Sequence, residues 1–142
     1  MPNERMALAR LIDTNLWIAL TRTRSPQAMK DMITPIVQDP AACLAEPIVF
    51  EVLRSATEDE ARRLTIHFQT LLLLASPGDL WVSGVELGRA CRKTGFSPGS
   101  INLLIAVVAL HHGAELVTFD DDFQKIAGVC DLKVKLLKSS MK

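Results

Sequence analysis

Ala7-Leu8-Ala9-Arg10-Leu11-Ile12-Asp13-Thr14-Asn15 is the stretch from which the fold can be read. A short apolar run, interrupted by Arg10, ends in Asp-Thr-Asn, the pattern of a strand whose C-terminal end meets polar residues. Glu115-Leu116-Val117-Thr118-Phe119 repeats the pattern late in the chain and points into Asp120-Asp121-Asp122. Ala41 to Ala45 reads as a further brief strand, and Leu132 to Leu137, with Lys133 and Lys135 alternating, as a final edge strand.

Helices fill the intervals. Short ones are expected over Leu16–Leu20 and from Pro26 to about Ile33, with Pro35 ending or kinking the second. Pro47 suits the first turn of a helix running to Ala56. Thr57-Glu58-Asp59-Glu60 fits a capping box, and the helix it opens is expected to run to about Ala75, before Ser76-Pro77-Gly78. Others span Leu80 to Lys93, Ile101 to His112 (capped by Ser97 or Ser100 and closed by Gly113), and the residues from Asp122 to Gly128. Strands separated by helices imply one α/β domain over residues 1–142, with a mainly parallel sheet.

Composition narrows the function. The 142 residues suit one core rather than two, and 49% hydrophobic with 23% charged residues is a globular balance. The longest apolar run, Leu103 to Leu110, is far short of the roughly 20 residues that span a bilayer. The charged N-terminus fits no signal peptide. Sixteen basic and 16 acidic residues cancel, so the chain lacks a global positive field for holding nucleic acid. Cys43, Cys91 and Cys130 form no metal-binding or disulfide spacing, which points to a reducing, cytoplasmic setting. Seven aromatics without a tyrosine argue against a base-stacking platform.

Ligands of open α/β sheets bind at the C-terminal strand ends. Asp13 and Asp120 both fall there. Singly, Asp13 could be a helix N-cap and Asp120-Asp121-Asp122 a solvated turn. Together, carboxylates converging in a cleft repel one another unless a cation neutralises them, and oxygen donors without His or Cys favour Mg²⁺ or Mn²⁺. Glu51 interrupts an apolar helical stretch on a mixed face, with Arg54 and Ser55 three and four residues on. Asn102 stands in the first turn of an apolar helix, where a capping or buried hydrogen-bonding role competes with ligation through a neutral carbonyl oxygen. His67 reads as a surface residue, and Leu71 to Leu74 as core in preference to interface. No nucleophile elbow, P-loop or GxGxxG is present.

In order along the chain, Leu11-Ile12-Asp13-Thr14-Asn15, Pro47-Ile48-Val49-Phe50-Glu51-Val52-Leu53, Asn102-Leu103-Leu104-Ile105-Ala106 and Glu115 to Phe123 resemble the PIN domain, in particular the VapC-type toxin ribonucleases of toxin–antitoxin pairs. The resemblance covers almost the entire chain. It implies an α/β/α sandwich around a parallel sheet and an acidic site holding Mg²⁺ or Mn²⁺. By position it assigns metal ligation and catalysis to Asp13, Glu51, Asp120 and position 102, with Asp122, Asn15 and Thr118 as accessory residues. It further implies hydrolysis of RNA to 5′-phosphate and 3′-hydroxyl ends, a small antitoxin that blocks the site, and a homodimer.

Asn102 departs from the pattern, which has Asp there in D-x-x-I-A. The amide keeps the shape, removes one negative charge and weakens divalent-cation binding. Either an inactivating substitution was introduced into a toxic protein, or the chain is natural with altered activity. A non-catalytic PIN-like module that binds protein or RNA is the alternative function.

Overall fold

The computed structural model describes residues 8–138. Five strands, β1 (Arg10–Ile12), β2 (Ala42–Ala45), β3 (Leu72–Leu74), β4 (Glu115–Thr118) and β5 (Lys133–Leu136), form one sheet of order β3-β2-β1-β4-β5. Every neighbouring pair is parallel. Among the described residues, seven helices flank it: α1 (Thr14–Thr21), α2 (Gln27–Val37), α3 (Glu46–Ser55), α4 (Glu58–Phe68), α5 (Leu80–Arg92), α6 (Ser100–His112) and α7 (Asp122–Ala127). No helix among the described residues is long and apolar enough to cross a membrane.

The layering follows from the burial pattern. Strands covered on both faces must be apolar throughout, and Ala42-Cys43-Leu44-Ala45 is buried at every position. Chain order runs β1-β2-β3 outward on one side, then returns to place β4 beside β1, with Ile12 opposite Val117. The strand order therefore reverses between β1 and β4, and a crevice opens at their C-terminal ends. At their N-terminal ends Arg10 pairs with Glu115 at 3.2 Å and Asp39 at 3.5 Å. The two acidic side chains there share one guanidinium of the protein itself.

Trp17 organises one side of the core. It is fully buried on α1, donates from Nε1 to the Ile12 carbonyl at 3.2 Å, and meets Phe68 and His67 edge-on at 5.0 and 5.2 Å. His67 is thus half-buried against an indole, not the surface residue expected. Replacing Trp17 with Ala leaves a ring-sized cavity, for which about 3–5 kcal/mol of stability is the expected loss. Urea unfolding measures it; a loss below about 1 kcal/mol would show that the core collapses around the gap.

Several expectations are corrected. The helix opened by the Thr57–Glu60 capping box, whose two reciprocal bonds form as expected, stops at Phe68, not near Ala75. Thr70 caps its end through Oγ1 to the His67 carbonyl at 2.7 Å, and Leu72–Leu74 turns into β3 along β2. A short unbroken run of leucines satisfies a helix and a strand equally, so periodicity could not separate them. The same run is not all core: β3 is an edge, and Leu72 and Leu73 are 67% and 47% exposed. The α6 N-cap is Gly99 rather than either serine. Gly113 closes α6 in the left-handed conformation at φ 63°, where glycine carries no Cβ penalty. The strand expected from Ala7 is observed from Arg10; Ala7 itself lies outside the described residues.

Candidate active site

Asp13 follows β1 directly and is also the N-cap of α1: its Oδ1 accepts the Thr14 backbone N–H at 2.8 Å. The N-cap reading is therefore correct, and the same residue stands at the C-terminal end of β1. The carboxylate is 4% exposed, and its Oδ2 accepts the Thr118 hydroxyl at 2.7 Å. Thr118, last residue of β4 and fully buried, also accepts the Asp120 backbone N–H at 2.9 Å. One hydroxyl therefore locks the first carboxylate and the turn that carries another. Removing it with Thr118→Val is expected to cost about 1–3 kcal/mol, the penalty for stranding buried partners. It should also raise the Asp13 pKa further; an NMR titration that finds the Asp13 pKa unmoved would show that the hydroxyl does not hold the carboxylate.

Asp120 leaves the end of β4 with Oδ1 accepting the Asp122 backbone N–H at 2.9 Å and Oδ2 accepting Asn102 Nδ2 at 3.3 Å. Asn102 reaches it from the first turn of α6. Glu51 enters from the middle of α3, where its Oε1 accepts the Thr14 hydroxyl at 2.6 Å. Asn15 Oδ1 lies 3.5 Å from the Phe119 backbone N–H. Asp13, Asn15, Glu51, Asn102 and Asp120 thus line one cleft of about 280 Å³ at the β1–β4 reversal. Asp122 stands at its edge, touching Asp120 through its backbone while its carboxylate lies 4.0 Å from Lys125. Oxygens of Asp120, Asp121 and Asp122 come within 4.8 Å of one another.

Burial pushes the Asp13 pKa up to about 6; the hydrogen bonds from Thr118 and Thr14 lower it, and the charges of Glu51 and Asp120 raise it further. A carboxyl held up by desolvation and by two like charges is a place where positive charge is missing. Among the described residues, none of Asp13, Glu51 and Asp120 has an ion-pair partner. The donors are three carboxylates and the amide oxygen available on Asn102, with no thiol or imidazole lining the cleft. That set fits a hard divalent cation such as Mg²⁺ or Mn²⁺ and not zinc.

The cleft also contains residues that the sequence did not single out: Thr14, Ile18, Arg22, Arg54 and Ser55. A signal existed for most. Ile18 and Arg22 continue the α1 stripe from Thr14 at four-residue steps, and Arg54 and Ser55 sit three and four residues from Glu51. Arg22 and Arg54 are exposed and add positive charge at the rim, next to the acids but paired to none of them among the described residues. Arg54 lies over the exposed Phe50 ring at 5.9 Å.

Comparison with known proteins agrees with this fold. The family model described as "PIN domain" matches residues 10–129. The chain is 31% identical over 128 residues to "Ribonuclease VapC11" of Mycobacterium tuberculosis, covering 87% of this chain and 95% of that protein. It shares the same identity and coverage with "VapC ribonuclease Mb1587" of Mycobacterium bovis. Among solved structures, the fold is similar to one in VapBC2 from Rickettsia felis bound to a DNA fragment from its promoter (TM-score 0.73, 17% identity, 92% of this chain and 100% of that one). VapBC-1 from nontypeable Haemophilus influenzae is also similar (TM-score 0.68, 20% identity, 91% and 98% covered).

Proposed function

This chain belongs to the PIN domain family and to its VapC ribonucleases, and from that premise we propose that it is the endoribonuclease toxin of a toxin–antitoxin pair, weakened by Asn102. The observation that carries the chemistry is the unneutralised set of buried Asp13 with half-buried Glu51 and Asp120 at the strand-order reversal. Asp13, Glu51 and Asp120 would hold Mg²⁺ or Mn²⁺, with the Asn102 carbonyl as a neutral fourth donor. Such a cation supplies charge for the scissile phosphate and lowers the pKa of a bound water.

The chain's own residues do the rest. Thr14 and Thr118 fix two carboxylates before substrate arrives, so little reorganisation is left for the reaction itself. Asn15 steadies the Phe119 backbone from which Asp120 projects. Asp122 holds Asp120 Oδ1 through its N–H. Arg22 and Arg54 present guanidinium groups to the phosphates of a single RNA strand entering the cleft, where they position without reading sequence. An antitoxin segment placing a cation among the same acids would block the site. The protein works in the cytoplasm, as a homodimer.

One observation favours a second reading, a non-catalytic PIN-like binding module: the Asn102 amide already satisfies Asp120 Oδ2, where the family pattern has a second carboxylate. The test is cleavage of a mixed RNA pool in Mn²⁺ by the chain carrying Asn102→Asp, with chelator and with Asp13→Ala added. Cleavage that both additions abolish supports the nuclease. Cleavage indifferent to Asp13→Ala would sink the assignment of the site, and metal binding without any cleavage would favour the module.

A further inference from the structure

Oxygens and guanidinium groups in the cleft suit a phosphate, but they offer a nucleobase little to lie against. Among the described residues, Ile18 is the one aliphatic side chain in the lining, and no aromatic residue is part of it. Most rings elsewhere are already covered. Trp17, Phe68 and Phe123 are buried; Phe96 and Phe119 are half-buried, the former beneath Lys125 Nζ at 5.0 Å. Trp81 and Phe50 remain, 70% and 57% exposed. Trp81 belongs to α5, which contributes no residue to the cleft. A single exposed phenylalanine is ordinary on a protein surface; what sets Phe50 apart is its surroundings. Its chain neighbour Glu51 lines the cleft. So does Arg54, one helical turn further on, and its guanidinium carbon lies over the Phe50 ring at 5.9 Å.

We propose that Phe50 is a shelf on which one unpaired nucleobase of the RNA strand stacks, beside the phosphate held in the cleft. Arg54 joins the two places. Its guanidinium carries the charge that a phosphate needs and lies against one face of the ring, which leaves the opposite face for a flat, weakly polar partner. A nucleobase has that shape, and it is covalently tied to the phosphate next to it. Holding both parts of one nucleotide fixes the strand in register with the acids, where charge alone would let it slide. One ring takes one base, so the scarcity of aromatics is no obstacle. A base inside a duplex has both faces covered by its neighbours, so the shelf selects a single strand or a loop over paired RNA. Stacking senses the size of a base and not its hydrogen-bonding edge, so a purine is favoured there by a modest factor.

The shelf deepens the nuclease reading and rests on it for the strand's place in the cleft. Photocross-linking tests it on the chain as it stands, in Mg²⁺. A single-stranded RNA carries 5-iodouridine at one position at a time, and irradiation joins that base to an aromatic ring stacked on it. Peptide mapping should find the join at Phe50, and for a single RNA position. Kinetics supply the second reading. In the Asn102→Asp chain, Phe50→Ala should lower kcat/KM about 5- to 150-fold, the range of one stacking contact, while Phe50→Trp should preserve it. Removing the base at the cross-linked position should slow the Asn102→Asp chain by a similar factor and leave Phe50→Ala with nothing further to lose. A merely structural role for Phe50 would not produce that equality. No join at Phe50, or a Phe50→Ala chain that loses as much again on the abasic RNA, overturns the shelf. Cross-linking needs no cleavage, so a join at Phe50 in a chain that never cuts RNA would sink the nuclease and keep the shelf. Cleavage indifferent to Phe50→Ala would do the reverse.

Discussion

Replacing Asn102 with aspartate is expected to raise chelator-sensitive RNA cleavage by about two to three orders of magnitude, the usual effect of one preorganised electrostatic group. The reasoning is local. Asn102 Nδ2 donates to Asp120 Oδ2 at 3.3 Å, so the amide occupies an oxygen that would otherwise face a cation. An Asp at 102 cannot donate that bond. It adds a negative charge beside Asp120, in a cleft that already holds Asp13 and Glu51. Without divalent ions the variant should be less stable than the chain as it stands; with Mn²⁺ it should be more stable, because each added carboxylate strengthens the ion's binding. Thermal unfolding with and without Mn²⁺ reads this crossover independently of any substrate. Equal cleavage by both chains would show that position 102 does not limit the reaction.

The second large effect concerns pH. Asp13 has a pKa of about 6 in the folded protein against 3.8 for an ordinary aspartate. Below the lower value both folded and unfolded chains hold the proton, and the group is neutral in the comparison. Between the two values only the folded chain holds it, so stability falls as pH rises, and above about pH 6 the loss is complete. A shift of this size corresponds to about 3 kcal/mol. Subtracting the urea stability of Asp13→Asn from that of wild type, between pH 4 and 7, isolates the contribution. The difference should decline with rising pH in metal-free buffer. Divalent ions should reverse the trend, because binding displaces the Asp13 proton and strengthens as the carboxylate ionises. A flat difference would mean that Asp13 titrates as if exposed.

Much of this was legible before any coordinates. Asp13, Asn15, Glu51, Asn102 and Asp120 come to one cleft, and Gly113 closes α6 as its place after an apolar helix requires. Acids after apolar strands and glycine after an apolar helix are local signals, and local signals survive folding. What failed depended on partners. Leu72–Leu74 became a strand only because β2 offers an edge, and His67 became half-buried only because Trp17 lies against it. Arg22 and Thr14 line the cleft through the placement of α1, which a reading of one residue at a time does not capture.

The adjacency of β1 and β4 has a consequence for timing. Thr118 and Asp13 touch although 105 positions apart in sequence, and Asp120 follows still later. Closing so long a loop is among the slow, non-local steps of folding. During synthesis, which proceeds from the N-terminus, a chain that has not reached β4 has neither the strand that completes the crevice nor the acid that closes it. Truncated or half-made copies would therefore be harmless to RNA. The hazard, on the proposed reading, arrives only with the last quarter of the polypeptide, when both halves of the sheet have met.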